Sequence, residues 1–246
     1  MKKTAAILAG ALVAGPALAQ SQTTPEIRVD DASTVLPSGR IGIDIEPRGE
    51  RPSVPHTGHG IEIGFTGTTG KDHQTRSAGA APLVFGGRVF LGPNELNHEF
   101  DFGYVEFLYR YRAFFGETRT FGIEALGGLG YAAYNLTVTT PTQRAEEKLG
   151  SGGLVAGFGI LWKFLPTTSL QSRLTLFGSG RNEGVTGAAR WDLFVAQALG
   201  RYAAVRAGLT GWGLSSSRAD DEDSDSINSL IRARFGGLGV GLELAF

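Results

Sequence analysis

The last nine residues constrain the fold most, because apolar side chains alternate there with small or charged ones. In an extended strand successive side chains point to opposite faces, so Leu238, Val240, Leu242, Leu244 and Phe246 share one face. The opposite face carries two glycines, a glutamate and an alanine. A terminal aromatic ring suits a membrane surface, where the ring sits at the headgroup level and the carboxylate stays in water. The pattern therefore favours a membrane-inserted β-strand.

The other end of the chain has the pattern of an export signal. Lys2 and Lys3 precede a short apolar run, and residues 17–19 read Ala-Leu-Ala, a small-residue cleavage pattern. The apolar run of residues 5–14 has about half of the roughly twenty residues that a membrane-spanning helix needs. We therefore predict a signal peptide over residues 1–19.

Residues 58–246 contain eight stretches with the same period-two alternation. One face is apolar, and the other is mostly glycine and alanine with isolated charges. These charges are Glu62, Glu106, Arg110, Arg112, Glu124, Lys163, Arg173, Asp192, Arg206 and Glu243. A soluble barrel would fill its second face with polar residues, whereas small residues and sparse charges of both signs suit a narrow lumen in which ions pair.

The predicted fold class is therefore all-β, a closed antiparallel transmembrane β-barrel. Several alternating runs exceed a dozen residues, against about five or six in globular sheets, and a tilted membrane strand needs about ten. Eight strands are expected over residues 58–246. Ten is the alternative, if Ile41–Glu46 and Leu83–Leu91 are strands as well.

Residues 20–57 are rich in proline and polar residues, and we expect an extended periplasmic segment there. Short turns near 116–119, 165–168 and 200 alternate with longer loops near 70–98, 140–148, 181–189 and 215–229. This asymmetry is typical of outer-membrane barrels and predicts both the N-terminal segment and the C-terminus on the periplasmic side.

Composition excludes several classes of function. With no cysteine in the chain, disulfides, thiolate metal sites and a cysteine nucleophile are impossible. A formal net charge of −1 gives no reason to expect nucleic acid as a partner.

The chain resembles small outer-membrane barrels of the OmpA/OmpX or opacity-protein kind. The resemblance lies in the signal sequence, the alternating strands and the Leu-Glu-Leu-Ala-Phe terminus, and it covers residues 58–246. It implies insertion by the barrel-assembly machinery, which would read Val240, Leu242, Leu244 and Phe246. It also implies a monomer in the outer membrane of a Gram-negative cell, in contact with lipid and lipopolysaccharide.

Arg232 and Arg234 are the candidate binding residues. Both lie in phase with Leu238, and the strand's rise places Arg234 roughly 30 Å from the chain end, above an apolar band about 25 Å tall. We expect them to meet lipopolysaccharide phosphates, for which arginine geometry is favourable, or to be ordinary rim charges.

Neither a catalytic site nor a metal or cofactor site is predicted. The spacing of Asp221, Asp223 and Asp225 suggests a calcium loop, but Ser226 and Arg232 occupy the positions that need glycine and glutamate. His73 beside Asp72 is the best histidine candidate, and it lacks a plausible nucleophile.

The sequence thus favours a non-enzymatic barrel that serves envelope integrity or surface recognition through its external loops. Two alternatives stay open. One is an outer-membrane enzyme that acts on lipid A or surface polypeptides, and the other is a small pore. Paired charges that fill a narrow lumen argue against the pore.

Overall fold

The alternating stretches form long β-strands that pair into one closed ring. A computed structural model of the chain describes residues 26–29, 37–45, 57–116, 118–180, 184–200, 202–219 and 227–245. Over these residues it contains strands and no helix, which confirms the all-β class. The strands are β1 (Glu26–Val29), β2 (Ser38–Ile45), β3 (Gly58–Arg76), β4 (Leu83–Phe85), β5 (Arg88–Phe90), β6 (Asn94–Phe115), β7 (Phe121–Thr139), β8 (Arg144–Leu165), β9 (Thr168–Gly178), β10 (Gly184–Ala198), β11 (Ala203–Ala219) and β12 (Ile227–Ala245).

Eight long strands run antiparallel in the order β3, β6, β7, β8, β9, β10, β11, β12. The short strand β2 lies between β3 and β12 and pairs with both, so nine strands close the ring. Following cross-strand partners once around the ring from Leu244 leads back to Arg234, ten residues earlier on the same strand. With a rise of about 3.3 Å and a strand spacing of about 4.8 Å, this offset tilts the strands by about 40°.

The predicted count of eight strands, with ten as the alternative, is wrong. The described residues form twelve strands, because the chain adds strands at two places outside the eight long ones. Residues 41–45 of the alternating run Ile41–Glu46 are indeed extended and belong to β2, whereas Glu46 lies outside the described residues. Residues 83–91 form the small hairpin β4–β5, a separate two-stranded sheet rather than a wall strand.

The N-terminal strands seal the seam between the first and last long strands. Both β1 and β2 run parallel to β12, with Val29 beside Ala233 and Asp44 beside Ala245. The side-chain amide of Gln74 on β3 accepts from the Arg28 amide at 3.5 Å and donates to the Glu26 carbonyl at 3.4 Å. Residues 26–29 and 38–45 are therefore part of the wall, which differs from the predicted boundary at residue 58.

The direction of β1 separates the two ends of the described chain. β1 pairs with the start of β12, whereas Ala245 is the last residue of that strand. Glu26 therefore lies at the opposite end of the ring from Ala245, whereas Asp44 of β2 lies beside Ala245, so the segment expected on one side with the C-terminus reaches both ends of the ring. We refer to the end with the connections 116–120, 166–167 and 199–202 as the turn end, and to the other as the loop end.

Strands at the loop end are longer than predicted. β7 continues to Thr139 and β8 begins at Arg144, so the loop expected over 140–148 shrinks to residues 140–143. The loops expected over 70–98, 181–189 and 215–229 are shortened in the same way. These extensions escaped prediction because their polar outer side chains resemble a loop.

Candidate functional site

A belt of exposed apolar side chains surrounds the turn-end half of the ring. On β6, Val105, Phe107, Tyr109 and Tyr111 point outward and are between 42% and 54% exposed. Neighbouring strands continue the belt with Ile63, Phe65, Leu129, Tyr131, Leu154, Phe158, Trp162, Leu174, Leu176, Val195, Leu209, Leu238 and Val240. Contiguous apolar surface of this extent marks a membrane or interaction surface.

Strand β6 reverses its pattern of apolar and polar side chains at the loop end. Beyond Gly103 the outward residues of β6 are polar: Glu95, Asn97, Glu99 and Asp101. The inward residues change at the same level, from charged to apolar, and include Leu96, Phe100, Phe102 and Tyr104, all buried. The ring is therefore apolar outside and polar inside at its turn end, and polar outside and apolar inside at its loop end.

Paired ions fill the turn-end interior, which we call the charge network. Its members are Arg40, Arg110, Arg112, Arg173, Arg190 and Arg206 with Asp44, Glu62, Glu106, Glu124, Asp192 and Glu243, and all are buried. Six guanidinium groups thus meet six carboxylates. A buried charge is tolerated when a partner of opposite sign and hydrogen bonds accompany it, and the network provides both.

Glu62 is the most connected carboxylate of the network and is fully buried. Its oxygens lie 2.5 Å from Arg173, 2.6 Å from Arg206 and 3.0 Å from Arg110. These arginines come from three strands that are far apart in the sequence, so this one carboxylate links different sides of the lumen.

Two further contacts connect β2 to the charge network. Arg40 of β2 donates to Asp192 at 2.5 Å, and Arg110 donates to Asp44. Most of the predicted inward charges are buried, but Lys163 is only partly buried, with its ammonium 4.0 Å from the centre of the Phe114 ring. Sequence reasoning missed Arg40, Asp44 and Arg190, although Arg190 stands two residues before Asp192 in the same phase.

Aromatic side chains pack the interior above the charge network. The Trp212 ring lies 4.7 Å from that of Tyr104 and 5.3 Å from that of Phe102, and Phe235 lies 4.8 Å from Phe102. Trp212 therefore faces inward, out of phase with the exposed Val205 and Leu209 of the same strand. Such ring pairs add about 0.5–1.5 kcal/mol each beyond the area they bury.

The β4–β5 hairpin covers this aromatic layer at the loop end. Leu83, Phe85 and Phe90 are buried against it. β4 contacts both β8 and β12, which stand on opposite sides of the ring, so the hairpin spans the mouth. Its other face presents Val84, Val89 and Leu91 to solvent.

The predicted binding residues Arg232 and Arg234 point outward near the loop end, and the structure adds a third arginine. They line a cleft of about 140 Å³ with Glu26 and Arg28. Arg28 is the cross-strand partner of Arg232. Sequence reasoning missed Arg28 because β1 was not predicted to join the wall.

The histidine candidate His73 is not paired with the side chain of Asp72. Asp72 and His73 are neighbours in β3 and point to opposite faces, so their side chains do not pair. His98 is fully buried in the loop-end interior, and neither ring nitrogen has a hydrogen-bond partner among the described residues. Burial lowers the pKa of His98 to about 4, although Asp72 acts in the opposite direction. His56 lies outside the described residues, as do Asp221, Asp223 and Asp225.

Ion pairs on the loop-end outer wall are exposed. Lys71 donates to Glu99 at 2.5 Å, and this contact lowers the pKa of the Glu99 carboxyl. In the described part of the chain, no group of three or more histidine and acidic residues is arranged to hold a metal ion.

Comparisons with known family models, curated proteins and solved structures found no match. A search of the described residues for helices found none long and apolar enough to cross a membrane.

Proposed function

We propose that the chain is a non-enzymatic integral β-barrel protein of a Gram-negative outer membrane, as the sequence favours. The observation that carries this proposal is the belt of exposed apolar side chains around a polar, ion-paired interior. In water such a belt would cost free energy at every residue, because burial of apolar surface is worth about 25 cal/mol per Å². Placed in hydrocarbon, the same belt becomes favourable, and the closed ring satisfies its own backbone groups.

The reversal of pattern along the strands supports partial immersion. The turn-end half matches a bilayer core, whereas the loop-end half has the polar exterior and apolar interior of a water-soluble barrel. Strands such as β6 and β8 would thus extend beyond the membrane into the external medium. The turn end would then face the periplasm.

The filled interior favours a structural or recognition role over a pore. An ion that crossed the ring would have to break the pairs around Glu62 and then pass the aromatic layer and the hairpin. The outer hairpin face, with Val84, Val89 and Leu91, is a candidate surface for recognition at the cell surface.

Cell fractionation tests the membrane assignment. We expect the protein in the outer-membrane fraction after alkaline washing, with gel migration that changes on boiling because the folded ring resists detergent. Recovery of folded protein in the soluble fraction would contradict the proposal.

Planar-bilayer recording tests the closed interior. Reconstituted protein should show no steady conductance, since the charge network blocks the lumen. Long-lived open channels would instead favour the pore.

Two comparisons separate integrity from recognition. A strain without the protein should become more sensitive to detergent if the protein supports the envelope. Replacement of Val84, Val89 and Leu91 by serine should leave detergent resistance intact and weaken only surface recognition.

A further inference from the structure

A basic cleft lies on the outer wall where β1 pairs with β12. We call it the arginine cleft, formed by Glu26, Arg28, Arg232 and Arg234. Arg28 and Arg232 are cross-strand partners, and Arg234 is the next residue on the same face of β12. Their β-carbons therefore lie within about 7 Å of one another.

One carboxylate organises this cleft. An oxygen of Glu26 accepts from the Arg28 guanidinium at 2.9 Å, and its other oxygen lies 3.4 Å from Nε of Arg232. The Arg28 and Arg232 side chains are still 62% and 58% exposed. Among the residues that line the cleft, three cationic groups surround one anionic group, so this lining carries two more positive than negative charges.

A second cleft at the loop end has the opposite balance. It measures about 340 Å³ and lies on the outer wall across β3, β6, β7 and β8. Its charged lining residues are Lys71, Arg144, Glu99, Asp101 and Glu146. With two positive and three negative groups it does not favour an anion, so the arginine cleft differs in charge from this second cleft.

The height of the arginine cleft suits a lipid headgroup. Among the β12 side chains whose exposure the structure describes, residues 231–244, Leu238 is the exposed large apolar residue nearest the loop end, and Arg234 follows four residues further along. At the tilt given above, four residues rise about 10 Å. The headgroup layer adds about 5–8 Å to each side of the hydrocarbon core, and arginine side chains can extend toward it while their stems cover apolar surface.

We propose that Arg28, Arg232 and Arg234 form a binding site for the phosphate groups of an anionic glycolipid in the outer leaflet. The planar guanidinium group binds phosphate through two parallel hydrogen bonds, and three such groups at one point match a phosphorylated headgroup better than scattered rim charges do. This inference rests on the proposed membrane location. It also means that the bound lipid joins β1 to β12 across the seam.

Lipid retention by purified, refolded protein in detergent micelles tests the site. The probe is diphosphorylated lipid A, added to wild type and to the R28Q/R232Q/R234Q variant, with retention read by native mass spectrometry. We expect the variant to bind about tenfold more weakly or worse, because each lost guanidinium removes charge-assisted hydrogen bonds. The matched control, K71Q/R144Q/K148Q, removes the same charge from the second cleft and its surroundings and should bind like wild type.

Phosphatase-treated lipid A and inorganic phosphate complete the experiment. Wild type should bind the treated lipid as weakly as the R28Q/R232Q/R234Q variant binds the untreated one. Equal binding by all variants, or undiminished binding of treated lipid, would overturn the site. Inorganic phosphate that displaced the lipid at equal concentration would identify a soluble-anion site and would equally overturn the lipid assignment.

Gel migration before and after boiling is recorded for each variant, so a failure to fold is recognised. If the glutamine variant does not fold, R28K/R232K/R234K replaces it, and this variant should lose binding while it keeps its charge. Folded, membrane-integrated wild type that retains no lipid contradicts the site alone. A water-soluble wild type contradicts the membrane proposal itself.

Discussion

The hydroxyl of Tyr104 donates a hydrogen bond to Glu106 at 3.2 Å, and this contact joins the aromatic layer to the charge network. Arg190 strengthens the junction, because it donates to Glu106 at 2.5 Å and lies 5.1 Å from the Trp212 ring centre. Outside, the wall changes from apolar to polar at the same level, next to Gly103. The inward side chains change from charged to apolar and the outward ones from apolar to polar at one level of the ring. This coincidence is expected if the membrane ends there.

A charge in the belt should be costly and the same charge above it should not. Phe107→Arg places a guanidinium group in the apolar belt, where the expected loss of stability in lipid is about 2–4 kcal/mol. Asn97→Arg on the same face of the same strand is the control and should change stability by less than about 0.5 kcal/mol. Urea unfolding in lipid vesicles measures both, and equal effects would argue against immersion of the belt.

Removal of the central carboxylate should destabilise the charge network. Glu62→Gln leaves the arginines around it without their shared anion, and loss of one partner of a buried pair costs about 3–5 kcal/mol. Glu146→Gln breaks only the exposed pair with Lys148, 3.4 Å apart, and should cost less than about 1 kcal/mol. Urea midpoints of the two refolded variants give the comparison, and similar midpoints would show that the network adds little.

Inward glycines should be intolerant of larger side chains. A β-carbon on Gly60 would lie 2.6 Å from Asp44 and 2.8 Å from Arg110 and from the Ile43 carbonyl. Gly60→Val should therefore cost about 1–3 kcal/mol or more. Gly127→Val meets open space on the outer wall and serves as control. If Gly60→Val had the same refolding yield and urea midpoint as the control, the interior around Gly60 would have room for a larger side chain, and the prediction would be wrong.

Acidification should weaken the loop-end half through His98. Burial lowers the folded-state pKa of His98 to about 4 from 6.5, so the unfolded chain binds more protons between these values. Stability should then fall by about 3 kcal/mol as the pH drops from about 6.5 to about 4, with no further change from this group below that.

The His98→Phe variant isolates this effect. It should lose the dependence on pH in that window when urea midpoints are compared at several pH values. His73→Phe, on the outer face of β3, should keep it. A profile for His98→Phe that parallels the wild type would show that His98 is not the group responsible.

Cysteine labelling tests the direction of β1. The chain has no native cysteine, so single substitutions report cleanly. A maleimide that does not cross membranes should label Glu26→Cys and Ser77→Cys on intact cells, because both sites lie at the loop end. Thr118→Cys at the turn end should react only after permeabilisation. Labelling of Glu26→Cys that requires permeabilisation would place β1 on the wrong side.

The outer belt was predictable because it follows one simple rule, the period of two. Residues such as Phe107, Phe158 and Val240 are exposed as their phase predicts, and Glu62 and Arg110 face inward. The rule works there because the outward side chains are apolar and the inward ones belong to the charge network, so the two faces of each strand differ at every residue.

The loop-end half was not predictable by the same rule, because its outward side chains are polar and its inward side chains are apolar. Asp101 and Lys148 look like loop residues until the strands are known to continue beyond the apolar belt. The pairing of β1 with β12 was not predicted for a different reason. β1 is only four residues long and its role depends on pairing with Leu230–Ala233, a contact between distant parts of the chain that local patterns do not carry.

The arginine cleft combines two residues that the sequence could select with one that it could not. Arg232 and Arg234 could be selected from phase and height alone. Arg28 could be added only when the parallel register with β12 was known, because its own sequence neighbourhood, rich in polar residues, predicts an extended segment outside the wall.

The seam has a consequence for biogenesis. Since β2 must pair with β12, the ring joins residues from near the two termini, and no shorter stretch of chain can complete it. A polypeptide truncated before residues 239–245 would lack the partner of β2 and would leave strand edges unpaired, and unpaired edges of this kind invite aggregation. Truncation on either side of the seam is therefore expected to reduce the yield of folded protein far more than the number of deleted residues suggests.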